Sequence, residues 1–275
     1  MKQKNKFEMT FNKTFFVLLF LCSFAMQNTQ AQNVEDIVNK ANKVFKYNGD
    51  DRINVVNMDI KNKNGKVVMN RELVLIRKND ASGLGQKWYS YFKKPADIRK
   101  MVFMVWKNTK KDDDRWIYLP AMDLVKRLAG SDKRSSFVGS QFVYEDVTGR
   151  LPKLDTHELI KTTDDYYEVK STPKNTSAVE FSYFYTWIDK KTFVPTKRVY
   201  YDKNGDKQRE YRVDKVEKIQ NYDTITAFSM TNIQTGESTY VNYIDIKYNV
   251  GIPDNIFTET YLRRVPRKWV SYNKK

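Results

Sequence analysis

From about residue 50 to residue 250 the chain alternates apolar and polar side chains with a period close to two, the spacing of half-buried β-strands. Ile53 to Lys61 and Val67 to Lys78 are two such runs, joined by Asn62-Lys63-Asn64-Gly65, whose Asn-Gly pair suits a tight hairpin turn. Further strands are expected at Lys87 to Phe92, Met101 to Lys107, Arg115 to Leu119, His157 to Thr163, Tyr166 to Thr172 and Val179 to Asp189. The pattern continues at Val194 to Asp202, Lys207 to Glu217, Asp223 to Ile233 and Ser238 to Tyr248. Connections such as Thr163-Asp164-Asp165, Lys203-Asn204-Gly205-Asp206 and Gln234-Thr235-Gly236 are too short to cross to a parallel neighbour. The sheet is therefore expected to be antiparallel, with sequential strands paired.

A helical period replaces this pattern near the start. Val34, Ile37, Val38, Ala41, Val44 and Phe45 form one stripe at spacings of three and four, behind Asn33 as a cap with Asp36 at the reciprocal position. A dozen strands with few helices exceed what one flat sheet usually carries. The expected fold is mainly β with a few helices (α+β): a strongly curved antiparallel sheet forming an unclosed β-barrel, with the helix as its lid. Ile256 to Leu262 reads as a short helix or a closing strand.

Two strands depart from alternation. Met101-Val102-Phe103-Met104-Val105-Trp106 and Trp116-Ile117-Tyr118-Leu119 are apolar on both faces, which a wet outer face does not accommodate. Either both faces are covered by protein, or one lines a cavity for a greasy ligand.

The first residues read as an export signal: Lys2, Lys4, Lys6 and Lys13 precede an apolar stretch, Phe15 to Ala25, too short to span a membrane. Thr29-Gln30-Ala31 offers a cleavage site after Ala31, leaving Gln32 to Lys275, 244 residues without a dividing linker and hence a single domain. The lone cysteine, Cys22, leaves with the signal, so the mature chain has neither disulfide nor thiol nucleophile. Of the formal charge of +16, removing four Lys and one Glu leaves 45 basic against 32 acidic side chains, or +13. That charge suits anionic surfaces.

Catalytic motifs are scarce. The sequence holds no HExxH, no paired CxxC, no Gly-x-Gly-x-x-Gly and no Gly-x-Ser-x-Gly. Ser90-Tyr91-Phe92-Lys93 and Ser171-Thr172-Pro173-Lys174 match Ser-x-x-Lys, a pattern short enough to arise by chance, and the single histidine, His157, reads as structural. Asp112-Asp113-Asp114 between lysines and Arg115 reads as a charged turn. The expectation is a non-enzymatic protein without metal or cofactor. Basic clusters with nearby aromatics resemble a nucleic-acid platform in composition, but export favours anionic headgroups or an acidic protein partner.

A long ordered set of motifs then carries a resemblance. Lys94-Pro95-Ala96-Asp97-Ile98-Arg99 is followed by Phe103-Met104-Val105-Trp106 and Asp114-Arg115-Trp116-Ile117-Tyr118-Leu119-Pro120-Ala121. The run Val125-Lys126-Arg127-Leu128-Ala129-Gly130-Ser131-Asp132-Lys133-Arg134-Ser135-Ser136-Phe137-Val138-Gly139-Ser140 and Tyr144-Glu145-Asp146 complete it. Together these resemble the outer-membrane lipoprotein-sorting family, in its LolA-like branch without an assigned substrate.

The resemblance implies a periplasmic carrier that encloses lipid or lipoprotein acyl chains and passes them toward the outer membrane. Its partners would be an inner-membrane transporter or an outer-membrane acceptor, with peripheral membrane contact and no nucleic acid. The rival reading is a non-enzymatic periplasmic adaptor of a membrane transporter. Phe103, Val105, Trp106, Trp116, Tyr118 and Leu119 are expected in the cavity wall, and Met122, Leu128, Phe137 and Phe142 in an adjoining loop or lid. Arg99, Lys126, Arg127, Lys133 and Arg134 are the expected headgroup or partner contacts.

Overall fold

Period-two sequence becomes one continuous antiparallel sheet of thirteen strands among the described residues, 34–83 and 85–272 of a computed structural model. The expected signal segment, residues 1–31 with Cys22, lies outside them. The first six strands are β1 (Asp51–Lys61), β2 (Val67–Asn79), β3 (Gln86–Lys94), β4 (Val102–Lys107), β5 (Asp114–Leu119) and β6 (Leu124–Arg127). The other seven are β7 (Asp155–Thr162), β8 (Tyr166–Pro173), β9 (Tyr183–Asp189), β10 (Pro195–Tyr201), β11 (Lys207–Ile219), β12 (Tyr222–Asn232) and β13 (Ser238–Tyr248).

Each group is a meander in which chain neighbours pair, as the short connections require. The two are joined by β1 against β13, with Met58 opposite Val241 and Asp59 opposite Tyr240. This order leaves β6 and β7, consecutive in sequence, at opposite edges of the sheet. Their connection, residues 128–154, must travel the full width of the sheet and does so across one face. It carries the short helix α2 (Tyr144–Thr148) and seats Phe137 and Phe142 among buried residues of both meanders.

The other face is covered from the opposite end of the chain. Ile252, Ile256, Phe257, Leu262 and Val270 pack on Ile53, Val74, Ile76, Tyr89 and Met104. Here Ile256 to Leu262, read as a short helix or a closing strand, forms helical turns, followed by a further short helix at Arg267–Val270. The Asp51 carboxylate accepts from the backbone N–H of Val250 and Ile252, both at 2.8 Å, and Trp106 Nε1 donates to the Phe257 carbonyl at 2.9 Å. The Tyr89 hydroxyl donates to the Tyr261 carbonyl at 2.7 Å, so the cover is fixed by directional bonds as well as burial.

The two-faced strands follow from this sandwich of covers. On β4, Val102, Met104 and Trp106 face the C-terminal segment, while Phe103 and Val105 face the connection. On β5, Trp116 and Tyr118 take the first direction and Ile117 and Leu119 the second. Both faces of these strands are therefore covered by protein.

The expectation of a strongly curved, barrel-like sheet is corrected. The sheet is open, with β6 and β7 unpaired to each other, and it is not strongly curled. A dozen strands do not require curling here, because the long connection and the C-terminal segment cover the apolar faces of the open sheet. The exposed edge strand β6 is only four residues long and carries Lys126 and Arg127, which discourages pairing with another chain.

The predicted N-terminal stripe is helical over residues 34–46, here α1. Val34, Ile37 and Ala41 pack on Val169 of β8 and Ile188 of β9, while Val44 and Phe45 reach the large cluster at the sheet centre. Its C-terminal carbonyls are held by Arg77 of β2, which donates to Lys46 at 2.7 Å and to Gly49 at 3.1 Å, and by Gln86, which donates to Lys46 at 2.8 Å. A cation at this end of a helix is favoured by the helix dipole.

Candidate functional site

A cleft lies between the sheet and the layer formed by the end of α1 and the long connection. Its space is about 1210 Å³, counting the mouth open to solvent. Val56, Met58, Leu73 and Leu75 contribute from β1 and β2, Ile225, Phe228 and Met230 from β12, and Val241 from β13. Phe45, Phe137 and Phe142 face them from the covering layer. Strand alternation makes this surface: Val56 and Met58, or Leu73 and Leu75, stand two apart and therefore point the same way.

Charge is unevenly distributed in this apolar setting. Among the described residues five cationic side chains line the cleft, Lys46, Arg52, Arg150, Arg198 and Arg209, against two carboxylates, Glu145 and Asp146. Arg209 Nη1 donates to Asp146 Oδ2 at 2.6 Å, and Arg150 pairs with Glu145 at 3.3 Å and with Asp155, outside the cleft lining, at 2.9 Å. Both carboxylates on α2 are thereby engaged.

The backbone of the same helix is held by two lysines, Lys46 half-buried and Lys107 buried. Lys46 Nζ donates to the carbonyls of Asp146 and Val147, each at 3.2 Å. Lys107 Nζ donates to the carbonyls of Thr148, at 2.8 Å, and Gly149. Burial pulls Lys46 well below its ordinary value, and the fields of Lys107 and Arg52 push the same way. Burial likewise lowers Lys107, to about 8, although Asp113 and Glu145 oppose the shift.

Arg52 and Arg198 have no carboxylate within ion-pair distance among the described residues. Arg198 donates to Thr186 Oγ1 at 3.1 Å and to the Tyr200 hydroxyl at 3.3 Å, and lies 4.8 Å from the centre of the Phe184 ring. Arg52 sits 5.1 Å from the centre of the Tyr243 ring, and its Nε is buried without a hydrogen-bond partner.

The structure separates the residues expected to act together. Phe137 and Phe142 line the cleft. Phe103 stands behind Phe137, ring centres 5.6 Å apart, with Val105, Leu119 and Leu128 on the same side of the sheet. Trp106, Trp116 and Tyr118 lie on the opposite face, under the C-terminal cover, and Met122 is exposed. Among the basic residues, Arg127 pairs with Asp114, Lys133 with Glu145 at 3.8 Å and Arg134 with Glu180 at 3.3 Å, while Arg99 and Lys126 are exposed. His157 bonds Ser171 Oγ through Nδ1 at 2.8 Å and meets the Pro152 carbonyl through Nε2 at 3.0 Å, so both ring nitrogens are occupied.

Sequence reasoning did not single out Arg52, Arg198 or Arg209. The available signal was parity: Arg52 is in step with Val56 and Met58, Arg198 with Tyr200, and Arg209 with Tyr211. An arginine in step with large apolar or aromatic neighbours on a strand is placed on their face.

Solved structures share this architecture. A DUF1329 family protein from Desulfovibrio piger is 26% identical with a TM-score of 0.78, covering 85% of this chain and 99% of its own. A putative outer membrane lipoprotein-sorting protein domain from Vibrio parahaemolyticus is also 26% identical, with a TM-score of 0.77, covering 85% of this chain and 100% of its own. A LolA superfamily protein from Nitrosomonas europaea, 19% identical, covers 83% of this chain and 98% of its own with a TM-score of 0.63. None of the curated proteins compared matches the chain.

The open thirteen-stranded sheet with a covered cleft is thus the fold of the LolA-like, lipoprotein-sorting superfamily. Within it, a family model described as "Uncharacterized protein" matches residues 85–264, more than half of the chain, and the chain belongs to that family.

Proposed function

We propose that this protein is a non-enzymatic periplasmic carrier that takes up acyl chains of a lipid or lipoprotein in the cleft and hands them on toward the outer membrane. The observation that carries this reading is the cleft between the sheet and the long connection, walled by Val56, Met58, Leu73, Phe142 and Phe228. The export signal read at residues 1–31 and the lipoprotein-sorting domain among the similar structures support it.

The physics requires a shielded route. A palmitoyl chain has about 15 methylene and methyl groups, each worth roughly 0.8 kcal/mol on leaving water, or about 12 kcal/mol before ordering costs. Such a chain does not cross an aqueous compartment unaided at useful rates. In the carrier the sheet is the fixed wall, and the connection at 128–154 is the part that moves, since its displacement breaks side-chain contacts but no strand pairing. Phe137 and Phe142 touch the cargo, with Phe103, Val105, Leu119 and Leu128 supporting them. Arg99 and Lys126 are surface contacts for an inner-membrane transporter, an outer-membrane acceptor or the membrane itself.

Native mass spectrometry of protein isolated from the periplasm tests the reading. Co-purifying lipid or acylated peptide is expected. An empty chain, together with failure to bind any added acyl compound, would sink it.

A further inference from the structure

We propose that the cleft selects an amphiphile whose acyl chain ends in an anionic oxygen headgroup, a carboxylate or a phosphate, drawn in by the two arginines of its lining that lack an ion pair, Arg52 and Arg198. This rests on the reading of the cleft as an acyl-chain site and narrows its cargo.

The cleft holds five cationic side chains against two carboxylates, and both carboxylates are already spent on Arg209 and Arg150. Lys46 is held by the Asp146 and Val147 carbonyls, which leaves Arg52 and Arg198, each against an aromatic ring and neither in an ion pair among the described residues. In a partly dehydrated site a positive charge without a counter-ion is costly, and an anion entering the cleft removes that cost.

Unused hydrogen-bonding capacity lines the same cleft. Arg52 is 9% exposed, and its Nε has no partner. The Tyr211 hydroxyl and the Ser90 hydroxyl, both lining this cleft, are also buried without a partner. A guanidinium presents a planar fork of donors that matches carboxylate and phosphate oxygens, and Tyr211, directly opposite Arg198 across the β10–β11 pair, adds a hydroxyl beside one of them. The apolar walls begin beside these residues, at Val56 on the strand of Arg52 and at Phe184 under Arg198. One molecule with a charged end and a long apolar tail satisfies both halves of the surface. A neutral acyl glycerol or acylated amide fills the walls and leaves the arginines as they are.

Displacement of a fluorescent acyl probe from the mature protein near neutral pH tests this with palmitate, palmitoyl lysophosphatidylglycerol and neutral monopalmitoylglycerol. At least one of the anionic compounds is expected to bind about tenfold or more tighter than the neutral one. Preference for palmitate or for the lysophospholipid identifies the carboxylate or the phosphate as the headgroup. Arg52→Met and Arg198→Met should each shrink the ratio by about threefold or more, the loss falling on the anionic compound, and Arg52→Lys should retain part of it. Circular dichroism reports that each variant remains folded.

Equal affinity for neutral and anionic compounds, or a ratio untouched in both methionine variants, overturns this inference and leaves the carrier reading standing. Failure of all three compounds to bind overturns both.

Discussion

Arg209 of β11 and Asp146 of α2 are joined by a 2.6 Å hydrogen bond between ions whose side chains are 13% and 15% exposed. The same Asp146 oxygen accepts from the Val143 backbone N–H at 2.9 Å, so one carboxylate both starts α2 and fastens it to the sheet. The family-like run ending Tyr144-Glu145-Asp146 therefore terminates in a clasp.

Breaking that clasp on one side should be expensive. Asp146→Ala strands the Arg209 charge and removes the cap, and is expected to lower unfolding free energy by about 3 kcal/mol. Combining it with Arg209→Met should recover part of the loss, because no buried charge is then left alone. Urea denaturation of the two single variants and the double variant checks the coupling.

The cleft and the opposite face should separate in function. Phe142→Ser, in the cleft wall, is expected to weaken acyl-probe binding by about tenfold. Trp116→Phe, under the C-terminal cover, should leave it within about twofold. Probe titration of both proteins decides the matter: an equal effect would detach binding from the cleft.

Stability should respond to the C-terminal cover and ignore an exposed apolar side chain. Phe257 is fully buried, and Phe257→Ala should cost about 3–5 kcal/mol. Met122 is 64% exposed, and Met122→Ser should change stability by less than about 0.5 kcal/mol. Thermal and denaturant unfolding report both.

Lys107 gives the protein an alkaline gain. Its folded pKa is lowered to about 8 from the ordinary 10.5, chiefly by burial. Below about pH 8 the lysine is charged in both states, and the folded state bears the whole cost of the buried charge. Between about 8 and 10.5 the unfolded chain holds more protons than the folded one, so stability rises with pH, by up to about 1.4 kcal/mol per unit. Urea midpoints from pH 7.5 to about 9.5 should climb in the parent relative to Lys107→Met. Parallel curves would contradict it.

Local chemistry made much of the fold legible. Asn64-Gly65 marks the β1–β2 turn, and Val34 to Phe45 writes its helical stripe in its own spacing. The apolar run from Met101 to Trp106 correctly announced that neither face of β4 is wet, but not which segment covers each. Residues 252–270 and 128–154 supply the covers, and nothing local to β4 encodes partners so distant in sequence. Curvature, expected from the number of strands, was overturned by the same covers, which let a broad sheet stay open. In the cleft, Phe137 and Phe142 were legible as apolar residues in a loop, whereas Arg52, in Asp51-Arg52-Ile53, reads as an ordinary polar strand position until its parity is compared with Val56.

The single seam between β1 and β13 has a consequence for how the chain assembles. Every other strand pair lies between chain neighbours, so each meander can form at the small entropic cost of closing a short loop. The seam instead waits for residues as distant as Met58 and Val241 to meet. The long connection is a loop hanging from both halves until that moment, and the cleft, which draws walls from either side of the seam, comes into being only when the halves unite. Folding is thus expected to be slow at one step, and the cleft is the last thing it makes.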